Sequence, residues 1–472
     1  MEKFLVGMSE KIITPPGPIK LQGQFFTRVS EYVESDLTAN VLAAEADGEQ
    51  LILVSCDLVS ISEELCEAVR RLVSDRTKEI DALKIILSAT HTHTGPEVIE
   101  DAGLLDALKY LPEDSVYEDE GLKKPHTPFI TCFNFIANQI SEAILEAWNS
   151  RAAAFIAPWF GRAVTGHCRR AVYSDGTAKM YGNTSDTNFY RLESGNETGI
   201  ELLYVYNNDK KPLGALVNVA CPAQLVEGGS YVSSDYWGKA REYIKRALGS
   251  GFVTVGLLSA AGCQSPRDII RAGKNNAESK SNGTKMIGRR VADCVTDGID
   301  QAAKTAVQSA VLSHSVFCMD LPIRRVTAAE CESALETISE YIKNKRTNIY
   351  NPQDMVMLHP PAGILERAKQ QEKQIFYSPE IHVIRLGNIA LATNTFELFL
   401  DYGNKIRARS PADQTFLIEL ACGCGMYLPT AEAEKGSHYS AYVSSGYVGH
   451  EAGNLLVEKT LEEIVKLWKE GN

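Results

Sequence analysis

The chain has 472 residues, 44% of them apolar and 23% charged, with a formal net charge of −12. That composition suits a globular protein able to bury a large core. The negative balance argues against a nucleic-acid backbone or an anionic membrane as partner, since either would repel the average surface.

The opening residues 1–7 lack the apolar stretch of a secretion signal, and no run reaches the roughly 18 apolar residues that span a bilayer. A cytoplasmic location with no stable membrane insertion is therefore expected. Eleven cysteines, scattered and without a Cys-x-x-Cys pair, fit reduced thiols better than a disulfide framework. The Cys422-Gly423-Cys424 cluster reads as packing in a Gly-rich turn.

In chain order, residues 4–27 contain Thr14-Pro15-Pro16-Gly17-Pro18, which cannot be helical. Apolar runs at 37–45 and 50–55 are joined by a turn containing Asp47-Gly48, a strong hairpin signal. The 3.6-residue periodicity of 61–77 predicts a helix, and the apolar run 83–89 a buried strand, giving a βαβ crossover. The acidic, proline-containing stretch 97–127 reads as a loop or partial lid.

A helix is expected at 129–149 and a strand from 152 to 164. A second βαβ-like unit follows, with strands at 201–206 and 213–220, a helix at 236–248 and a strand at 252–259. A small-residue turn, 260–268, leads to a helix near 285–304, then a strand at 308–321 and a charged helix at 328–345. Residues 346–372, with Asn351-Pro352 and His359-Pro360-Pro361, read as a stiff loop. A hairpin at 382–386 and 388–394 precedes a helix opened by Glu397, a strand at 415–421, a loop at 436–453 and a closing helix at 455–469. No internal repeat is visible. The fold expected is α/β, with large mixed sheet or sheets and flanking helices, in one domain over 1–472.

Chemistry-bearing residues fall where strands give way to loops: His91 and His93 in Thr90-His91-Thr92-His93-Thr94-Gly95-Pro96, then Cys221, Ser265, Glu397 and Tyr427. Strand ends of a mixed sheet converge on one edge, so these groups can meet in space. Two residues apart in extended chain, His91 and His93 face the same side. They can share a metal, or one can bind it while the other handles protons. Imidazole, thiolate and carboxylate are competent zinc ligands and phenolate a rarer one. Singly, each has an ordinary structural explanation: a buried small thiol for Cys221, a turn or N-cap hydroxyl for Ser265, a helix-start carboxylate for Glu397.

The string Ser88 to Pro96, preceded by Ile52-Leu53-Val54-Ser55-Cys56-Asp57-Leu58-Val59-Ser60, resembles the N-terminal catalytic domain of the neutral/alkaline non-lysosomal ceramidases. The resemblance runs from about Val6 to the C-terminus, and no counterpart of that family's C-terminal immunoglobulin-like domain is expected. It implies a zinc amidase in which His91, Glu397 and Tyr427 hold the metal and His93 lies beside the reacting centre. Arg169 in His167-Cys168-Arg169-Arg170 would match the family's active-site arginine, and Ser265 its nucleophilic or substrate-positioning serine. Where the family has His-Pro, this chain has Cys221-Pro222, so the remaining ligand would be a thiolate.

The expected function is hydrolysis of an amide or ester bond in a soluble small molecule, with Ser265 or a metal-activated water attacking. Two alternatives stand beside it: a non-catalytic or sugar-binding relative, and a cysteine- or serine-nucleophile hydrolase without metal.

Overall fold

The structure, a computed structural model, describes residues 4–100, 106–271, 280–308 and 311–470. Its organising feature is a four-stranded unit that occurs three times. In the first, β1 (Leu5–Ile12), β2 (Thr38–Ala46) and β3 (Glu49–Cys56) run antiparallel, and α1 (Glu63–Arg76) crosses over to β4 (Ile85–Ala89), parallel to β3. After α2 (Phe129–Asn149), the second unit repeats the order with β5 (Ala152–Arg162), β6 (Gly199–Asn207), β7 (Pro212–Val219), α3 (Asp235–Leu248) and β8 (Val253–Leu258). A short antiparallel β1–β5 pairing joins both units into one eight-stranded sheet, ordered β8-β7-β6-β5-β1-β2-β3-β4.

The third unit forms a separate sheet after α4 (Lys280–Thr305). It contains β9 (Leu312–Cys318), then the inserted helices α5 (Ala328–Asn344) and α6 (Pro352–Gln370), β10 (Glu380–Leu386), β11 (Ile389–Thr393), β12 (Phe396–Leu398), α7 (Leu400–Arg409) and β13 (Gln414–Ile418). Two further elements, β14 (Met426–Leu428) and α8 (His450–Glu470), close the chain.

The units meet at the ends of their fourth strands. Ala89 N donates to Leu420 O at 3.3 Å, Cys422 N to Leu87 O at 2.9 Å and Glu419 N to Leu258 O at 3.0 Å. The parallel strands are buried on both faces, which is why 85–89 reads as a continuous apolar run. The hairpin signal at Asp47-Gly48 is realised with both residues in the left-handed region, at φ of 51° and 81°. The repeat escapes sequence inspection because each unit keeps only its hydrophobic pattern.

Two expectations need correction. Residues 346–372 are largely the helix α6, which runs through Pro360 and Pro361. Asn351 and Asp354 form a capping box with Pro352 in the first turn, and Met355, Leu358, Ala362 and Leu365 pack against Ala334 and Ile338 of α5. Tertiary packing outweighs the helix-breaking prolines here. Glu397, expected to open a helix, instead lies in β12, paired in parallel with β14, and α7 starts at Leu400.

Much of the predicted loop 97–127 docks on this inserted pair. Ala107 joins its core, and Val116–Tyr117 pairs with Ile349–Tyr350; residues 101–105 of the predicted lid lie outside the described ones. No helix among the described residues is long and apolar enough to cross a membrane.

Candidate active site

The Thr-His-Thr-His stretch leaves β4 at the edge where the three units converge. Its threonines and histidines do different work. Thr90 Oγ1 donates to Asp57 Oδ1 at 3.1 Å, while Thr92 Oγ1 and Thr94 Oγ1 both donate to the Ser233 carbonyl, at 2.7 and 2.8 Å, tying the loop to the second unit. Asp57, fully buried, is held by the Arg241 guanidinium through contacts of 2.7 and 2.8 Å. His91 is buried and held at a φ of 66°, a costly conformation for a non-glycine residue that this surrounding network enforces.

Backbone carbonyls fix the tautomers of both histidines. Val59 O lies 2.6 Å from His91 Nδ1 and Gly23 O 2.7 Å from His93 Nδ1. A carbonyl can only accept, so each Nδ1 carries a proton, and whichever ring is neutral has its lone pair on Nε2. The two Nε2 atoms face each other at 3.1 Å, and His91 Nε2 also faces Glu397 Oε2 at 3.5 Å. Burial, together with the neighbouring His91, Arg28 and Arg169, pushes the pKa of His93 well below its ordinary value, so its ring is neutral. Gly23 permits this approach. It sits at a φ of 103°, and a Cβ there would lie 2.7 Å from the His93 ring.

Glu397 and Tyr427 are register partners on β12 and β14. Glu419, fully buried, accepts from Leu398 N at 2.9 Å and Ala261 N at 3.1 Å, and burial pushes its pKa well up. It thus clamps the Glu397 strand to the turn carrying Ser265. The same turn brings Gly262 so close that a Cβ there would meet the Glu397 carbonyl oxygen at 2.2 Å.

Arg169 reaches the same place: Nη2 donates to Gly262 O at 2.9 Å and Tyr427 OH at 3.2 Å, and lies 3.8 Å from Glu397 Oε2. Burial opposes its charge, yet the Tyr427, Tyr181 and Glu397 oxygens hold its pKa well above the ordinary value. Burial and the nearby Glu397 push the Tyr427 phenol well up.

Ser265 is reached through a relay. Arg169 Nη1 donates to Gln224 Oε1 at 3.3 Å, Gln224 Nε2 to Tyr181 OH at 3.0 Å, and Tyr181 OH to Ser265 Oγ at 3.1 Å. Arg267 N also donates to Ser265 Oγ at 3.1 Å. The structure therefore brings His91, His93, Glu397, Tyr427 and Arg169 together, with Ser265 two residues removed from Arg169.

Cys221 stands apart. Its fully buried thiol points to Thr165 O at 3.2 Å, and burial reinforced by Asp235 pushes its pKa well up. Among the described residues, no third His, Cys, Asp or Glu donor atom lies within 4.8 Å of both His91 and Glu397 donor atoms, Cys221 included.

Sequence reasoning missed Tyr181, Gln224 and Glu419. The first two sit in irregular segments with no periodic signal, and Glu419 sits within a run that reads as plain strand. It missed the wall beside the site as well, where the Tyr427, Tyr439 and Phe25 rings follow one another at centroid distances of 5.6 and 5.4 Å and Phe25 meets His359 of α6 at 4.9 Å.

Solved structures share this arrangement of elements. The crystal structure of neutral ceramidase from Pseudomonas aeruginosa matches with a TM-score of 0.71 at 17% identity, covering 100% of this chain and 75% of that one. The fold is that of the neutral ceramidases. A structure titled as ceramidase complexed with C2 matches with a TM-score of 0.71 at 16% identity, covering 100% of this chain and 76% of that one. At these identities the ceramidase likeness is one of fold. No protein-family model and no curated protein sequence matches the chain.

Proposed function

We propose that the protein is a zinc-dependent hydrolase of an amide or ester bond in a small molecule. One observation carries this reading. Both Nδ1 atoms face backbone carbonyls, so with the two rings neutral their Nε2 lone pairs lie 3.1 Å apart, with a carboxylate oxygen 3.5 Å from one of them. Uncompensated, such a group of acceptors repels itself, and a cation relieves it. The donor types suit zinc: His91 Nε2, Glu397 and the Tyr427 phenol would hold the ion, and the Cys221 thiol, turned to Thr165, is left out of the set. When bound, zinc polarises a carbonyl and lowers the pKa of water.

The protein's own groups supply the rest. His93 Nε2, neutral and unprotonated, takes a proton as general base. The Arg169 guanidinium, anchored on Gly262 O and Gln224, offers its charge to a developing oxyanion. Ser265 Oγ, oriented by Tyr181 and Arg267 N, positions the substrate; among the described residues no imidazole or carboxylate hydrogen-bonds to it, so it lacks the base a serine nucleophile uses. The Tyr427–Tyr439–Phe25 wall offers an apolar face to one side of the substrate.

The geometry of Cys221 favours a second reading, a non-catalytic binding relative in which one metal ligand is lost. Assay of a panel of N-acyl amides and esters separates the two. Zinc-loaded protein is expected to hydrolyse at least one, with the rate lost in the His91→Ala variant. Equal activity in chelator-treated and zinc-loaded protein would overturn the metal-dependent reading, and no turnover of any compound by zinc-loaded protein would favour the binding relative.

A further inference from the structure

A second group of metal-competent side chains lies outside this site. Glu380, His382 and Cys422 bring their donor atoms within 4.8 Å of one another, His382 and Cys422 being buried and Glu380 partly so. His382 Nε2 is 2.9 Å from Glu380 Oε1 and 3.8 Å from Cys422 Sγ. The Cys66 thiol of α1 lies against the Cys422 thiol and is itself buried. We propose that Glu380, His382 and Cys422 form a structural site for a thiophilic divalent ion of the zinc class, with Cys66, which touches Cys422 but lies outside the 4.8 Å group, turning in as the fourth ligand. It is independent of the proposed catalytic ion.

Hydrogen-bond logic points the same way. Gln50 O, which can only accept, is 2.9 Å from His314 Nδ1, so that nitrogen carries the proton and the neutral ring accepts at Nε2. His382 Nδ1, 2.9 Å from His314 Nε2, must then be the donor. His382 Nε2 faces the Glu380 carboxylate, which can only accept, so without an ion this nitrogen carries a proton as well; an ion taking the site would displace that proton and bind the lone pair it leaves. A metal-binding histidine is oriented in this way, its other ring nitrogen donating to a fixed partner.

The charge fits as well, and the spacing in part. Zinc–nitrogen and zinc–sulfur bonds of about 2.0 and 2.3 Å place tetrahedral ligands roughly 3.3–3.8 Å apart; the 3.8 Å between His382 and Cys422 meets that, while the 2.9 Å between His382 and Glu380 is a hydrogen-bond distance that would widen once an ion replaces the proton. A divalent ion with two thiolates and one carboxylate leaves one negative charge. Arg70 stands ready to cancel it, its guanidinium bidentate on Glu380 at 2.6 and 3.0 Å and 3.8 Å from Cys422 Sγ. Four protein ligands leave no open position, which marks a structural and not a catalytic site. The ion would staple α1 of the first unit to β10 and the turn after β13 of the third. That turn is where Cys422 takes a φ of 55° and its N–H bonds Leu87 O, directly behind the histidine loop.

The test uses full-length His91→Ala protein, in which the candidate catalytic ion is removed. Elemental analysis is expected to find about one zinc per chain, falling below roughly 0.1 when Cys422→Ser is added. Loaded with cobalt(II) instead, the His91→Ala protein should show thiolate-to-metal charge-transfer absorption. Cys422→Ser weakens it, and so does Cys66→Ser, which keeps the test readable if the Cys422 variant does not fold. Absence of zinc from folded His91→Ala protein, or a cobalt band untouched by both cysteine substitutions, would overturn the proposal. Zinc lost between wild type and His91→Ala reports on the catalytic ion alone.

Discussion

The Asp57–Arg241 pair is the most exacting point at which to test how the histidine loop is held. Asp57 is fully buried and Arg241 is 5% exposed. The carboxylate accepts from Arg241 at 2.7 and 2.8 Å, from Thr38 N at 2.9 Å, and from the hydroxyls of Thr38 and Thr90, both at 3.1 Å. Replacing Arg241 with alanine leaves that carboxylate buried and without its cation, a change that costs about 3–5 kcal/mol. Scaling the entropy of unfolding, about 2.1 cal/mol/K per residue, to 472 residues gives roughly 1 kcal/mol/K, so Tm should fall by about 3–5 °C.

Because Thr90 directly precedes His91, the same variant should also weaken zinc binding, by about 10–100-fold, as loss of an outer-shell partner does. Calorimetry and a competitive chelator titration read both effects. The double variant Asp57→Asn/Arg241→Met should recover much of the stability, since no unpaired charge remains. A single Arg241→Ala variant losing less than about 1 kcal/mol, or a double variant as unstable as the single, would refute the reasoning.

Two further outcomes follow from the packing. Gly262→Ala should leave the fold intact by circular dichroism but lower activity at least about 10-fold, because the added Cβ displaces the Glu397 backbone; unchanged activity would mean that Glu397 need not stay where it is. In chelator-treated protein, stability should fall as pH drops below about 6.5, the ordinary histidine value. Burial holds His93 well below that value and His314 at about 3, so the unfolded chain binds protons across this window that the folded one refuses. Urea midpoints at pH 8, 6 and 5 check the sign, and His314→Gln should flatten the slope.

The strand ends were legible because burial on both faces writes a continuous apolar run, as at 85–89, and because Asp47-Gly48 dictates its own turn. The candidate site was legible only in pieces. His91 and His93 advertise themselves by spacing, whereas Glu397 looked like a helix start, since nothing local reveals that β12 pairs with β14 across thirty residues. Tyr181 and Gln224 lie in loops, where placement depends on the whole fold. Glu380-Ile381-His382 did carry a signal, two polar groups on one face of a strand whose only other polar residue is Arg385. Its partners Cys66 and Cys422 are distant in sequence, so the cluster emerges only once the first and third units are seen to meet. The proline-rich helix α6 was hidden for the opposite reason: local rules forbid it and packing against α5 overrules them.

The most direct test of the central claim is crystallographic. Diffraction data collected on either side of the zinc absorption edge, from crystals grown with zinc, should place an anomalous peak within bonding distance of His91 Nε2 and Glu397 Oε2 and beside the Tyr427 phenol. A well-ordered map with no peak there, and both histidines unmoved, would contradict it.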